Sequence, residues 1–173
     1  MKKLFTVLGA AIVLLIVVLV INTFRDTKAL PIYTVDQSFE TKGDSAALHL
    51  SQAIQIKTVS FGDTLAIDTA EFLKFRKFIE NTYPNISSKL QKQTFNEFSY
   101  VYKWTGKDTS LAPYVLMGHM DVVPVEAVAE SKWTVPSFSG AIKNDTIWGR
   151  GAVDDKISVI AIMEAVEQLL KEN

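Results

Sequence analysis

Cysteine is absent from this 173-residue chain, and histidine occurs only twice. The chain therefore has neither disulfide bonds nor thiolate ligands, and a metal held by its own side chains would use histidine and carboxylates. A formal net charge of −1 leaves no basic footprint of the kind that binds nucleic acid. There is no Gly-x-Ser-x-Gly segment and no cysteine nucleophile, which argues against an α/β hydrolase that works without a metal.

Charged residues are also missing from Leu4–Ile21, an apolar run that directly follows Lys2 and Lys3. As a helix this run would be about 27 Å long, close to the ~30 Å hydrocarbon core of a bilayer. A cleavable signal peptide is the alternative, but its apolar region is usually about 7–15 residues and ends in a small-x-small site, which is not found here. The run predicts an uncleaved, single-pass transmembrane anchor. The two lysines favour a cytoplasmic tip, residues 1–3, and therefore predict that the residues after about 30 lie outside the cytoplasm.

After the anchor, the chain divides into a mixed polar tether at 22–43 and a folded region at 44–173. Apolar residues recur every three to four positions in three segments of the folded region, which predicts amphipathic helices at 44–57, 68–83 and 158–171. Asp68 is placed to cap the second helix, and Pro84 is placed to stop it.

Strand patterns lie between the second and third of these helices. Residues 98–104 alternate in polarity and predict a half-buried strand, whereas Pro113–Met117 is apolar on both faces and predicts an interior strand. A long loop at 124–140 and a tight hairpin that turns at Asn144–Asp145 follow. This mixture of elements predicts an α/β layer fold.

Two short segments carry side chains suited to metal chemistry, Met117–Pro124 and Gly149–Lys156. His119 and Asp121 are two positions apart, so on an extended backbone both point to the same side. An imidazole nitrogen can bind zinc while a neighbouring carboxylate accepts the other ring N–H. In the second segment, glycines bring the backbone in tightly before Asp154.

Each segment also has an ordinary structural explanation. A His-x-Asp pair arises by chance and usually belongs to a hydrogen-bonded loop. Asp154 and Asp155 could be helix caps, and Lys156 could be a solvated charge. Neither segment alone separates metal chemistry from loop structure.

In their order and separation, however, the two segments resemble the His-x-Asp-Val-Val-Pro and Gly-Arg-Gly-Ala-x-Asp-x-Lys signatures of the zinc aminoacylase and carboxypeptidase family of metallopeptidases. Trp133, Pro136 and Phe138 resemble the family's Trp-x-x-x-Pro-Phe-Ser-Gly loop, here with Ser137 inserted. The resemblance covers residues 45–171. It is nearest to the carboxypeptidase S and N-acyl-amino-acid hydrolase branch, whose members often carry an N-terminal membrane segment.

The resemblance implies a helix-sheet-helix catalytic domain that hydrolyses peptide or N-acyl-amino-acid amide bonds at two zinc ions. By that likeness His119 would bind one zinc, Asp154 would bridge both, and Asp121 would orient His119. It also implies a cis peptide bond between Asp154 and Asp155. Cobalt or manganese could occupy the same nitrogen and oxygen ligands.

Several parts of the family pattern are missing from the sequence. Family members continue to a Glu-Glu pair that supplies the general base and a zinc ligand, then to further ligands and a dimerisation domain. Glu164 and Glu167 are expected on the solvated face of the last helix, and His49 as a partly exposed imidazole, so none of them substitutes. We therefore expect the N-terminal portion of an enzyme, inactive on its own, with exposed apolar surface at 115–117 and 160–170. The alternative is a catalytically inactive anchored binding module or a degenerate gene fragment.

Overall fold

A computed structural model of the chain describes residues 2–25, 43–61 and 67–172. It divides into two compact units, Met1–Glu40 and Thr41–Asn173. Most of the predicted tether at 22–43 lies outside the described residues.

The described part of the first unit is a single helix, α1 (Lys2–Arg25), which is exposed along its length. It contains the predicted anchor and continues to Arg25, into the predicted tether. By length and composition this helix could cross a membrane, although a signal sequence near the N-terminus would meet the same criteria.

The second unit mixes helices with short antiparallel strands. Its elements are α2 (Gly43–Gln55), α3 (Thr69–Thr82), α4 (Pro84–Lys89), β1 (Gln91–Phe95), β2 (Ser99–Lys103), α5 (Ala127–Glu130), β3 (Ala141–Lys143), β4 (Thr146–Trp148) and α6 (Lys156–Glu172). All three predicted helices are confirmed as α2, α3 and α6. Helix α4, strand β1 and the short helix α5, which lies within the predicted loop at 124–140, are elements that the sequence pattern does not predict.

Local sequence explains where α3 begins and ends. The Asp68 carboxylate accepts hydrogen bonds from the backbone N–H groups of Ala70 and Glu71, at 3.1 and 3.4 Å, and so caps the helix as predicted. Helix α3 stops before Pro84, which is the first residue of α4. Proline suits that position because its fixed φ is helical and its missing N–H would have no partner there.

The strands form two separate hairpins. The predicted hairpin is confirmed: β3 pairs with β4 from Ala141↔Trp148 to Lys143↔Thr146. Asn144 and Asp145 turn it with φ of 52° and 54°, the left-handed values that a two-residue hairpin loop requires. Strand β2 matches the predicted alternating segment and pairs with β1.

The predicted interior strand at Pro113–Met117 is wrong for the described structure. The segment has no strand pairing, and Tyr114 and Met117 are 85% and 82% exposed. A strand that is apolar on both faces needs neighbouring strands to pair with its backbone and helices to cover both faces. Within the described residues, no strand pairs with 113–117 and its side chains stay exposed. The mixture of helices and sheets is thus confirmed, but the described elements do not form a layered α/β arrangement.

Helices α2, α3, α4 and α6 enclose the hydrophobic core. Its most deeply buried apolar side chains are Ala53, Ile54, Phe75, Tyr83, Ile86 and Ile160. The expected exposure of apolar residues at 115–117 is confirmed. It is wrong for most of 160–170, because Ile160 and Leu170 are buried and Met163 and Val166 pack against the core, whereas Leu169 is 37% exposed.

Glu164 and Glu167 lie on the inner side of α6, so the expectation that they are solvated is wrong. Glu164 accepts a hydrogen bond from the Tyr83 hydroxyl at 2.8 Å and contacts His49 Nδ1 at 2.5 Å. Burial and the Glu164 carboxylate raise the pKa of Tyr83 well above its usual range. Glu167 accepts hydrogen bonds from the first turn of α4. The partly exposed imidazole predicted at His49 is confirmed, with 25% of the side chain exposed.

Candidate metal centre

His119 is positioned by a short segment that follows α2. Val122 N–H donates to Thr58 O at 2.9 Å, Ser60 N–H donates to Val122 O at 3.0 Å, and the Thr58 hydroxyl donates to Met120 O at 2.5 Å. Val59 and Val122 form a parallel bridge. These bonds hold the backbone on the C-terminal side of His119, although 113–117 before it has no strand partner.

Asp154 is positioned by the glycine-rich turn before α6. Gly151 has a φ of +88°, which disfavours any side chain, and a Cβ there would lie 2.7 Å from Val122 Cγ1. Its carbonyl also accepts a hydrogen bond from Lys156 N–H, which closes the turn. Glycine is needed at 151 because the second segment packs directly against the first.

The three predicted site residues come together. His119 Nε2 lies 3.0 Å from Asp154 Oδ1. On the other side of the ring, His119 Nδ1 lies 3.0 Å from the Asp121 carbonyl oxygen and 3.2 Å from Asp121 Oδ1. The imidazole therefore has an oxygen acceptor at each nitrogen. The implied cis peptide bond is present between Asp154 and Asp155.

Two opposing effects act on the His119 ring. Partial burial by itself lowers the pKa of His119, but hydrogen bonds to Asp121 and Asp154 and the charges of the two carboxylates outweigh it and raise the pKa above its usual value. A metal ion and a proton would compete for the same Nε2 lone pair, so any metal binding here should release protons.

The donor pair fits a metal of the zinc type in chemistry and spacing. Two ligands of one tetrahedral zinc, each about 2.0–2.1 Å from the ion, are about 3.3 Å apart, close to the His119–Asp154 separation. Both side chains are accessible, at 53% and 88% exposure. Within the described residues no cluster of three or more histidines and carboxylates could hold a metal. The pair is therefore an incomplete ligand set.

The interpretation of Lys156 as a solvated charge is wrong. It is completely buried, and its Nζ donates hydrogen bonds to Ala53 O at 2.9 Å and Ile56 O at 2.6 Å. Burial lowers the pKa of Lys156 to about 7. The side chain satisfies two carbonyl groups at the C-terminal end of α2, and so connects the turn that carries Asp154 to that helix.

The predicted functional loop at 124–140 is hydrogen-bonded to the glycine-rich turn before α6. Ser137 O accepts a hydrogen bond from Arg150 N–H at 2.6 Å, and the Arg150 guanidinium lies 5.4 Å from the centre of the Trp133 ring. Lys57 Nζ lies 5.6 Å from the Phe138 ring centre. Both aromatic side chains contact cations of neighbouring segments, which stabilises the loop.

Sequence reasoning missed one polar contact of this site. The Ser60 hydroxyl donates to Asp121 Oδ2 at 2.7 Å. Ser60 belongs to the Lys-Thr-Val-Ser turn that is part of the resemblance, but nothing in the spacing of residues 60 and 121 indicates the contact. A cavity of about 430 Å³ opens beside His119 and Asp121, with walls that include Phe72, Phe98 and Tyr102.

Comparison with known proteins finds a family match and several relatives. The family described as peptidase family M20/M25/M40 matches residues 115–173. The chain is 43% identical over 166 residues to a probable carboxypeptidase S-like 2 of Dictyostelium discoideum, a match that covers 91% of this chain and 32% of the relative. It is 44% identical over 126 residues to the N-fatty-acyl-amino acid synthase/hydrolase PM20D1 of Mus musculus, covering 72% and 24%. It is 40% identical over 134 residues to carboxypeptidase S of Saccharomyces cerevisiae, covering 73% and 23%.

Members of this class are peptidases and related hydrolases, and they are typically metal-dependent. The chain belongs to the M20/M25/M40 family, on the branch of carboxypeptidase S and the N-fatty-acyl-amino acid hydrolases. It spans about a third or less of the length of these relatives, and its coverage fits their N-terminal portion.

Proposed function

We propose that this chain carries part of the active site of a membrane-anchored, zinc-dependent hydrolase of peptide or N-acyl-amino-acid amide bonds. The observation that carries the proposal is the 3.0 Å separation of His119 Nε2 and Asp154 Oδ1, two metal-capable donors from segments 35 residues apart. The relatives named for carboxypeptidase and N-acyl-amino-acid hydrolase activities support the substrate class.

Each residue of the pair has a separate task in this proposal. His119 would hold one ion through Nε2, and Asp154, with most of its side chain exposed, would contribute its carboxylate to the two-ion site. Asp121 would accept a hydrogen bond from His119 Nδ1–H and so favour the tautomer in which the Nε2 lone pair is available to the ion. Zinc, when bound, supplies a water of lowered pKa and polarises the substrate carbonyl. The proposed general base belongs to the Glu-Glu pair of the family and is not provided by Glu164 or Glu167, which are engaged in the core.

The membrane part of the proposal rests on α1. Its apolar residues are exposed throughout, which suits contact with lipid, and we propose a cytoplasmic N-terminus with the catalytic part outside the cytoplasm. Alkaline carbonate extraction should leave the full chain in the membrane pellet. A protease added to sealed vesicles of known orientation should then cut the Thr41–Asn173 unit only from the extracytoplasmic side. Release by carbonate would contradict the anchor.

Zinc binding by the full chain in detergent micelles tests the metal site. His119→Ala and Asp154→Asn should each weaken zinc binding in equilibrium dialysis by at least tenfold, because each removes one of two donors. His49→Gln is the matched control, since His49 is the other histidine and contacts Glu164 instead. We expect no turnover of N-acyl amino acids by this chain alone. Equal zinc affinity in His119→Ala and in the unsubstituted chain would refute the site.

A second candidate is a catalytically inactive, anchored binding module. It is favoured by one observation, that the described residues bring no third donor to His119 and Asp154. The same dialysis experiment separates the two. Binding of zinc that depends on both residues supports the hydrolase site, whereas no detectable zinc binding by the unsubstituted chain at millimolar zinc supports the inactive module.

A further inference from the structure

Ser60 makes two contacts with the segment that follows His119. Its N–H donates to Val122 O at 3.0 Å, and its hydroxyl donates to Asp121 Oδ2 at 2.7 Å. The first bond is part of the backbone pairing between 58–60 and 120–122 and would be present with any residue except proline. The second bond depends on the serine side chain.

The hydroxyl contact decides how the Asp121 carboxylate is oriented. Asp121 Oδ2 is taken by Ser60, and Oδ1 lies 3.2 Å from His119 Nδ1. The Asp121 side chain is 43% exposed, so without Ser60 its carboxylate could rotate towards water at little cost. The Asp121 backbone carbonyl also faces Nδ1, at 3.0 Å, so Nδ1 has one fixed and one rotatable acceptor. On the other side of the ring, Asp154 Oδ1 lies 3.0 Å from Nε2 and favours a proton there, so the two ring nitrogens compete for the proton of the neutral imidazole.

We propose that Ser60 is a positioning residue that fixes Asp121 and, through it, favours the Nδ1-protonated form of neutral His119, in which Nε2 is free to bind metal, over the Nε2-protonated form that Asp154 Oδ1 favours. The proposal rests on the proposed function for its purpose, but the proton position is a property of the metal-free chain. A hydrogen-bonded partner of a metal-binding histidine selects the ring tautomer and raises ligand basicity, and its loss typically costs about 10–100-fold in metal affinity. Ser60 acts one contact further away, and we expect about a three- to tenfold loss.

Nitrogen-15 NMR of the histidine rings tests the proposal without metal. The full chain, labelled at histidine, is measured in micelles with a chelator at a pH of about 9, where an ordinary imidazole is neutral. The chain has two histidines, so His49→Gln assigns the signals of His119. We expect a smaller Nδ1-protonated fraction in Ser60→Ala than in the unsubstituted chain, and recovery in Ser60→Thr, which keeps the hydroxyl.

A double-mutant cycle distinguishes positioning from general loosening of the fold. Asp121→Asn should also shift the proton, and adding Ser60→Ala to it should change nothing more, because both act through one carboxylate. An unchanged His119 tautomer in Ser60→Ala, or a further full-sized shift in the Asp121→Asn background, would overturn the proposal. If Ser60→Ala loses folded tryptophan fluorescence, Ser60→Cys, with a weaker donor of similar size, takes its place.

Zinc dialysis on the same variants separates this proposal from the proposed function. Zinc binding that depends on His119 but is equal in Ser60→Ala and the unsubstituted chain would defeat the positioning role alone. A tautomer shift in Ser60→Ala with no zinc bound by any form would leave Ser60 as the positioning residue of a site that fails as a metal centre.

Discussion

Replacement of Glu167 should reveal how much the last helix depends on a buried carboxylate. Glu167 is 3% exposed. Its Oε1 accepts from Asn85 N–H at 3.2 Å and Asn85 Nδ2 at 2.7 Å, while Oε2 accepts from Ile86 N–H at 3.0 Å. Helix α4 has no capping side chain of its own at Tyr83, so Glu167 satisfies the N–H groups of its first turn.

The magnitude follows from the number and kind of bonds lost. A hydrogen bond to a charged group contributes about 1.5–3 kcal/mol net, and Glu167→Ala removes three that share one acceptor group, so we expect a loss of about 3–4 kcal/mol in the free energy of unfolding. Glu167→Gln keeps one oxygen but turns an amide towards a donor, and about 1.5–2 kcal/mol is expected. Lys171, 3.7 Å from Oε1 and largely exposed, contributes little.

The pH dependence provides an independent check on Glu167. Burial by itself raises the pKa of Glu167, but the hydrogen bonds from Asn85 and Ile86 outweigh it and hold the pKa below its ordinary value of 4.5. A carboxyl with a lowered folded-state pKa stabilises the fold above 4.5 and loses that contribution as the pH falls towards the folded-state value. Stability should therefore fall below about pH 4.5 in the unsubstituted chain, and less steeply in Glu167→Gln.

Urea unfolding of the full chain in micelles, followed by tryptophan fluorescence, measures both effects. All three tryptophans, at 104, 133 and 148, lie in the second unit, so α1 does not contribute to the signal. Glu172→Gln is the matched control, because it makes the same charge change at the exposed end of α6. If Glu167→Gln were no less stable than Glu172→Gln and showed the same acid sensitivity, the capping role would be refuted.

Three further stability changes follow from the packing and are measured by the same unfolding experiment. Gly140→Ala should cost more than about 2 kcal/mol, since its Cβ would lie 2.2 Å from Ser51 O at a φ of +60°, and unaltered stability would contradict this. Lys156→Ala should cost about 3 kcal/mol by leaving a cavity, whereas Lys156→Met, which keeps the buried stem, should cost about 1 kcal/mol; equal losses would show that the ammonium hydrogen bonds dominate. Asp145→Gly should stabilise the β3–β4 hairpin by about 0.5 kcal/mol, because its φ of 54° favours glycine, and destabilisation would refute that reasoning.

Helix α6 shows how far sequence periodicity reaches. Its existence and extent are predictable from the recurrence of apolar residues, but its buried face is predictable only in part. The recurrence predicts an inner face made of Val159, Ile162, Met163, Val166, Leu169 and Leu170. Leu170 is buried and Val159, Met163 and Val166 pack against the core, but the other buried residues are Lys156, Ile160 and Glu167. The difference arises because two charged side chains are buried to satisfy the ends of α2 and α4. A hydrophobicity scale ranks residues by their transfer from water to an apolar medium, so it does not predict the burial of a charged side chain that is hydrogen-bonded to partners.

At the candidate site, the sequence predicts which motif residues meet but not every contact that positions them. The pairing of His119, Asp121 and Asp154 is predictable because motif order carries it, and the geometry agrees. The contact of Ser60 with Asp121 is not predictable. It depends on backbone pairing between Ser60 and Val122, which are 62 residues apart in the sequence. The strand prediction at 113–117 fails for a related reason: a local apolar pattern predicts a strand only when other segments pair with it, and no described segment does.

The failed strand and the intact donor pair together identify what positions this half-site. If the 113–117 strand held His119 in place, the exposure of that segment should have separated His119 from Asp154, yet the two lie 3.0 Å apart. The positioning contacts instead come from two places. At the end of α2 and in the segment after it, Ala53 and Ile56 hold Lys156, and residues 58–60 hold 120–122. In the turn that carries Asp154, Asp155 Oδ2 accepts a hydrogen bond from His119 N–H at 3.3 Å. Substitutions such as Met117→Ser should thus leave the His119 ring tautomer unchanged, whereas changes in 53–60 should alter it. The geometry of the pair depends on the packing of α2 against α6, and pairing of the 113–117 strand is not required for it.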